Sequence, residues 1–154
     1  MNTPTLGFED DSTLSKREIA RVQLVEAIAL LLEGKFLCSL TLAGAAEAVL
    51  AGLLSALGQR SAVEESTATF KQFLSQIGLK TIELKKDTVY YSSWNRARNA
   101  AKHHSVDESE SLTINLFDEA YWMIERALRN SALLSLPIEN EQAYRNWVIV
   151  NINM

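Results

Sequence analysis

The stretch Phe36–Leu57, FLCSLTLAGAAEAVLAGLLSAL, constrains this chain more than any other. Glu47 is the single charge among its 22 residues. Apolar or small residues surround its whole helical wheel, which suits either a membrane span or the buried centre of a helical bundle. Two features weigh against the span. Glu47 near the middle would cost about 3 kcal/mol at a bilayer centre. Six alanines and two glycines also dilute the hydropathy. The helices expected on either side are amphipathic and need an apolar partner to cover. The reading adopted is therefore the centre of a bundle, with no membrane partner.

The composition agrees with a helical domain. Apolar residues make up 47% of the 154 and charged residues 22%, the balance of a soluble globular protein. Proline occurs only at Pro4 and Pro137, so Thr5 to Leu136 holds no helix breaker of that kind. Cys38 is the one cysteine, which excludes an internal disulfide and a cysteine-based metal site and points to a reducing, cytoplasmic setting. Its place in the apolar stretch reads as a small buried hydrophobe. Residues 1–12 are acidic, without a basic start and apolar run, and read as a flexible tail rather than a secretory signal. Residues 13–154 read as one domain.

Ser15-Lys16-Arg17-Glu18 and Ser61-Ala62-Val63-Glu64 are capping boxes, each opening a helix that a glycine ends, at Gly34 and Gly78. In the first helix Val22, Leu24, Val25, Ile28, Leu31 and Leu32 form the apolar face. In the second it is Val63, Phe70, Phe73, Leu74 and Ile77. Between these two helices lies the central one, where Gly44, Ala48 and Gly52 repeat every four residues. That spacing predicts a close crossing, with the first helix as the candidate partner. Residues 79–89 read as a short helix or an extended connector. Asp87 can cap a helix from Thr88 to about His103, with Tyr90 or Tyr91, Trp94, Ala97 and Ala101 at helical spacing; these aromatics read as core rather than as base-stacking platforms. A further helix starts at Ser111 or Thr113 and runs to about Leu134 on Ile114, Phe117, Ala120, Tyr121, Ile124, Ala127 and Leu128. The last covers Ile138–Val150, with Ile138, Ala143, Trp147, Val148 and Val150 apolar. No strand alternation persists. The expected fold is an all-α, up-and-down bundle of four main helices plus shorter ones.

Charge is uneven along the chain. The net value is −4, yet Lys80–His104 carries six basic and two acidic residues. Such a segment suits a phosphate-facing patch, or pairs with the acidic flanks after folding. Within it stands Arg98-Asn99-Ala100-Ala101-Lys102-His103-His104. Arg98 and Lys102 share a helical face, and His103 lies about 140° round from it. An arginine grips phosphate through paired donors, and a histidine exchanges protons near neutral pH. Together they suit cleavage of an RNA backbone by its own 2′-hydroxyl, with no cofactor. The same residues also suit a plain helix C-terminus, where cations oppose the helix dipole.

Arg98-Asn99, three residues, then His103 resembles the signature of HEPN domains, a superfamily of small helical bundles. Leu32-Glu33-Gly34-Lys35-Phe36, then Ala45-Ala46-Glu47 and Leu53-Leu54, is similar to that family's first helix pair. The resemblance spans about Ile19–Leu134. It implies a homodimer and, in many members, a metal-independent ribonuclease site where two motifs meet; other members are binding or partner-protein modules. Carried over, Arg98 would hold phosphate, His103 would be acid or base, and Asn99 would orient them. Lys102 and His104 would add substrate contacts for RNA or a nucleotide. Glu47 has two readings: a buried carboxylate paired with Arg98 or His103, or a residue on a thin exposed edge. His103 and His104 with Asp107, Glu108 and Glu110 lack the Glu-x-x-His spacing of bundle metal sites, so no metal is expected.

Overall fold

The computed structural model describes residues 6–8, 11–77 and 87–152, Thr88 by its backbone alone. Seven α-helices lie among them: α1 (Lys16–Leu32), α2 (Phe36–Ala56), α3 (Ala62–Gln76), α4 (Asp87–Trp94), α5 (Arg96–Lys102), α6 (Leu116–Leu133) and α7 (Glu141–Asn151). The all-α fold expected from the periodicity is the fold observed. The connector expected at 79–89 falls mostly outside the described residues.

Local chemistry sets the helix ends. Ser15 caps α1 by accepting the Glu18 amide at 3.1 Å. The second half of that capping box is not made, because the Glu18 carboxylate holds Arg21 instead. Gly34, at φ +78°, turns the chain into α2. At α3 the Ser61 amide donates to Glu64 Oε2 at 2.7 Å, and the next amide, Ala62, donates to Asn130 Oδ1 at 2.7 Å. That second bond ties the start of α3 to α6.

The core is a stack of α1, α2 and α6. Leu24, Ile28 and Leu31 meet Leu40, Leu50 and Leu54, and α6 closes the stack with Ile124, Ala127 and Leu128. Inside the α1–α2 hairpin the fully buried Ser39 donates to the Ala27 carbonyl at 2.7 Å, so its hydroxyl is not left unpaired. Helix α7 inserts Tyr144 into this core, and its hydroxyl donates to Glu125 at 2.8 Å. Helix α2 is long and apolar enough to cross a membrane by length and composition, and 44% of its apolar window is buried in the fold.

Several local expectations differ from the structure. The helix expected over Thr88–His103 is two helices that break at Asn95. Helix α6 begins at Leu116, capped by Asn115 Oδ1, rather than at Ser111 or Thr113. Helix α7 begins at Glu141, three residues beyond Ile138. Val22, Ala143 and Val150 face outward, as does Cys38. Phe70, Phe73 and Ile77 remain largely exposed, so α3 buries only its first turns, at Ala62, Val63 and Thr67. The glycine ladder on α2 does not meet α1. Gly44 faces Arg98, Ala48 is exposed, and Gly52 has open space beside it.

Candidate functional site

Glu47 is the centre of the site, and its setting decides between its two readings. It is 3% exposed. Two arginines from different helices converge on it. Arg98 of α5 donates from Nη1 to Glu47 Oε2 at 3.2 Å. Arg126 of α6 places Nη2 at 3.2 Å from Glu47 Oε1. The second contact is an ion pair without hydrogen-bond alignment, so Oε1 is buried with no hydrogen-bond donor. A carboxylate left alone in so apolar a helix would be costly, and the paired arginines remove that cost.

Each arginine is fixed by more than Glu47. The Arg98 stem runs across Gly44, where a β-carbon would come within 2.5 Å of Cδ. Glycine is required there to let α5 approach α2. Arg98 Nε reaches toward Asn99 Oδ1 at 3.4 Å, a long contact. Burial pulls the Arg98 guanidinium below its ordinary pKa; the charge of Glu47 opposes this shift and that of Arg126 adds to it. Arg126 explains the break in the motif segment. Its Nη1 donates to the Trp94 carbonyl at 3.1 Å and its Nη2 to Asn95 Oδ1 at 2.7 Å. A carbonyl drawn outward to a guanidinium is lost to the helix, and the chain restarts as α5.

The remaining motif residues lie at the surface. Asn99 and Lys102 are on exposed positions of α5. His103 is the C-cap of α5, in extended conformation, with its amide on the Asn99 carbonyl at 3.0 Å. His103 and His104 are both exposed. The structure thus joins Arg98 with Glu47 in a buried pair and leaves Asn99 and Lys102 on the exposed side of α5, with His103 and His104 facing solvent at and beyond its end. Among the described residues, no three His, Cys, Asp or Glu side chains gather as they would to hold a metal ion.

Arg126 and Asn95 were not among the sequence candidates. The signal for Arg126 was its position: it lies three residues after Met123 and four before Asn130, on the buried flank of α6. A charge at such a position needs a partner, and Glu47 is the buried acid able to serve.

The chemistry available is that of a charged corner. Two arginines share one carboxylate, so among the described residues one positive charge at the foot of α5 has no second acid beside it. Both guanidiniums are largely buried, whereas Lys102 and the two imidazoles are exposed. No protein-family model matches the chain, and neither the curated proteins nor the solved structures yield a match.

Proposed function

We propose that the protein is a HEPN-like, RNA- or nucleotide-engaging bundle that acts as a metal-independent ribonuclease through Arg98 and His103 at a dimer interface. The observation that carries this reading is the uncompensated positive charge beside the motif helix. Arg98 is held charged and oriented by Glu47, as a phosphate-binding group must be. His103 lies free at the surface, able to reach a substrate too large to enter a cavity.

In this reading the RNA 2′-hydroxyl attacks the adjacent phosphorus. One imidazole takes the hydroxyl proton while a second protonates the departing 5′-oxygen, leaving a 2′,3′-cyclic phosphate. Two copies of the chain would supply the two His103 imidazoles. Arg98 would offset charge on the phosphate oxygens, while Asn99, Lys102 and His104 would contact the flanking backbone.

A second reading is a non-catalytic interaction module, and the burial of Arg98 favours it. An arginine committed to Glu47 and packed on Gly44 has a structural reason to be there. One experiment separates the two readings: cleavage of a mixed single-stranded RNA pool in EDTA by wild type and by His103→Ala. The ribonuclease reading expects cleavage by wild type alone. Cleavage by neither protein overturns it and leaves the interaction module. Because His103 is exposed, the variant should melt with the wild type, so lost cleavage would not reflect unfolding.

A further inference from the structure

We propose that α3 and α4 form a lid that closes along α6, packing Phe70 and Phe73 against Trp122. The proposal concerns these three helices and does not rest on the nuclease reading. Burial shows how lightly the lid is held. Helix α3 sinks Ala62, Val63 and Thr67 into the fold, and from residue 68 to residue 96 no side chain among the described residues is buried. Ala97 of α5 is the next buried one. Segments with so few buried contacts open and close at low free-energy cost.

Two pins fix the ends of the lid. At the start of α3 the Ala62 amide donates to Asn130 Oδ1 at 2.7 Å, and Glu65 pairs with Arg129 at 3.2 Å. At the end of α4 the Trp94 carbonyl accepts from Arg126 at 3.1 Å. Away from these pins the walls part around an open trough of about 1020 Å³. The two lid helices are tied to each other as well. Lys71 Nζ lies 2.7 Å from Asp87 Oδ1, and the Phe70 and Tyr90 rings meet edge to face at 5.9 Å. They move as one body, hinged at Ser61 before α3 and at Asn95 after α4.

The contacts at the α3 pin set the register of closure. Ala62 faces Asn130 and Glu65 faces Arg129, so each step up α3 is a step down α6. Phe70 is eight residues after Ala62, and Trp122 is eight before Asn130. At a common rise per residue the two come opposite each other, with Phe73 one turn beyond, on the Glu119 side of Trp122. Phe70, Phe73, Trp122 and Glu119 all line the trough already. The apolar surface to be covered is large: Trp122 is 63% exposed, Phe73 53% and Phe70 41%. Paired rings also gain from stacked or edge contact beyond the area they bury. Closure strands no charge. Glu65 keeps Arg129, Glu125 keeps Arg145 and Arg126 keeps Glu47, while Glu119 stands at the mouth beside water. The closed lid seals the trough, and the open one admits solvent to its floor at Arg126.

The test places spin labels at Gln72→Cys on α3 and Asp118→Cys on α6, both exposed positions outside the trough lining. The full chain carries Cys38→Ser, because Cys38 is itself exposed. Pulsed electron resonance then reads the separation of the labels. The expected result is a population with the labels closer than in the open structure. Phe73→Ala and Trp122→Ala should each lower the ratio of closed to open molecules about tenfold. Both side chains are exposed, and circular dichroism would verify that the variants fold. A single population at the open separation would overturn the proposal, as would a close population that Trp122→Ala leaves unchanged. So would a close population that vanishes on dilution, since a second copy rather than the lid would then bring the labels together.

Discussion

Substituting Gly44 by alanine tests the geometry of the buried pair through a change of sign. In an exposed helix interior, Gly→Ala stabilises by about 1 kcal/mol. At Gly44 the added β-carbon would sit 2.5 Å from Arg98 Cδ and 2.7 Å from Cγ. Carbon atoms prefer about 3.5–4.0 Å, so the Arg98 stem must move by about 1 Å. Its freedom is limited, because Nη1 is already 3.2 Å from Glu47 and lengthening that contact would loosen the pair. Full loss of one partner from a buried pair costs about 3–5 kcal/mol. Losing about half of that, set against the propensity gain, leaves Gly44→Ala destabilising by about 1 kcal/mol. Gly52, on the same helix, has nothing within 4 Å. There the same substitution should stabilise by about 0.5–1 kcal/mol. In an Arg98→Ala background the clash is gone, since Arg98 Cβ lies at an ordinary 3.8 Å. Gly44→Ala should then stabilise as Gly52→Ala does. Urea unfolding followed by far-UV circular dichroism measures all three differences. Equal stabilisation by the two alanines in the wild-type background would refute the claim that α5 docks through Arg98.

Two further outcomes follow from the same structure. Glu47→Gln should cost about 3–5 kcal/mol, because it leaves two buried guanidiniums facing each other; Arg98→Leu should cost less, since Arg126 still compensates Glu47. The double variant should lose clearly less than the sum of the singles in urea unfolding, and additivity within about 0.5 kcal/mol would rule out the pairing. Tyr144 supplies a pH signature. Burial, with the hydrogen bond to Glu125, raises its phenol well above the ordinary value of about 10. The unfolded chain releases that proton above about pH 10 while the folded chain keeps it, so the phenol's contribution is intact below that pH and declines above it. The stability gap between wild type and Tyr144→Phe should narrow by up to about 1.4 kcal/mol per pH unit there. Parallel curves across that range would contradict the assignment.

What was legible in the residues, and what was not, follows the range of the forces. Helix α2 could be read because its apolar character is local and continuous. The opening of α3 could be read because Ser61 and Glu64 satisfy each other within one turn. The break at Asn95 could not, because its cause is Arg126, 31 residues away, drawing the Trp94 carbonyl out of the helix. The start of α6 was misplaced for a nearer reason: Ser111, Thr113 and Asn115 can all cap, and the choice falls where Phe117 and Ala120 reach the core. The fate of Phe70 and Phe73 was misread because periodicity reports that a helix has an apolar face without saying whether this chain covers it.

Glu47 shows how these limits meet at the candidate site. Its burial was one of two readings left open by the sequence, and Arg98 was one of two partners in view. The second arginine changes the chemistry. With Arg98 alone the pair is neutral, and the motif helix presents only Lys102 and the imidazoles to an anion. With Arg126 added, the carboxylate is shared and a positive charge remains at the base of α5. The same guanidinium holds the Trp94 carbonyl and the Asn95 side chain at the break, where α5 begins. Arg126 is therefore a positioning residue for the motif. Replacing it should displace α5 and, on the ribonuclease reading, lower RNA cleavage in EDTA, even though it lies outside the sequence signature.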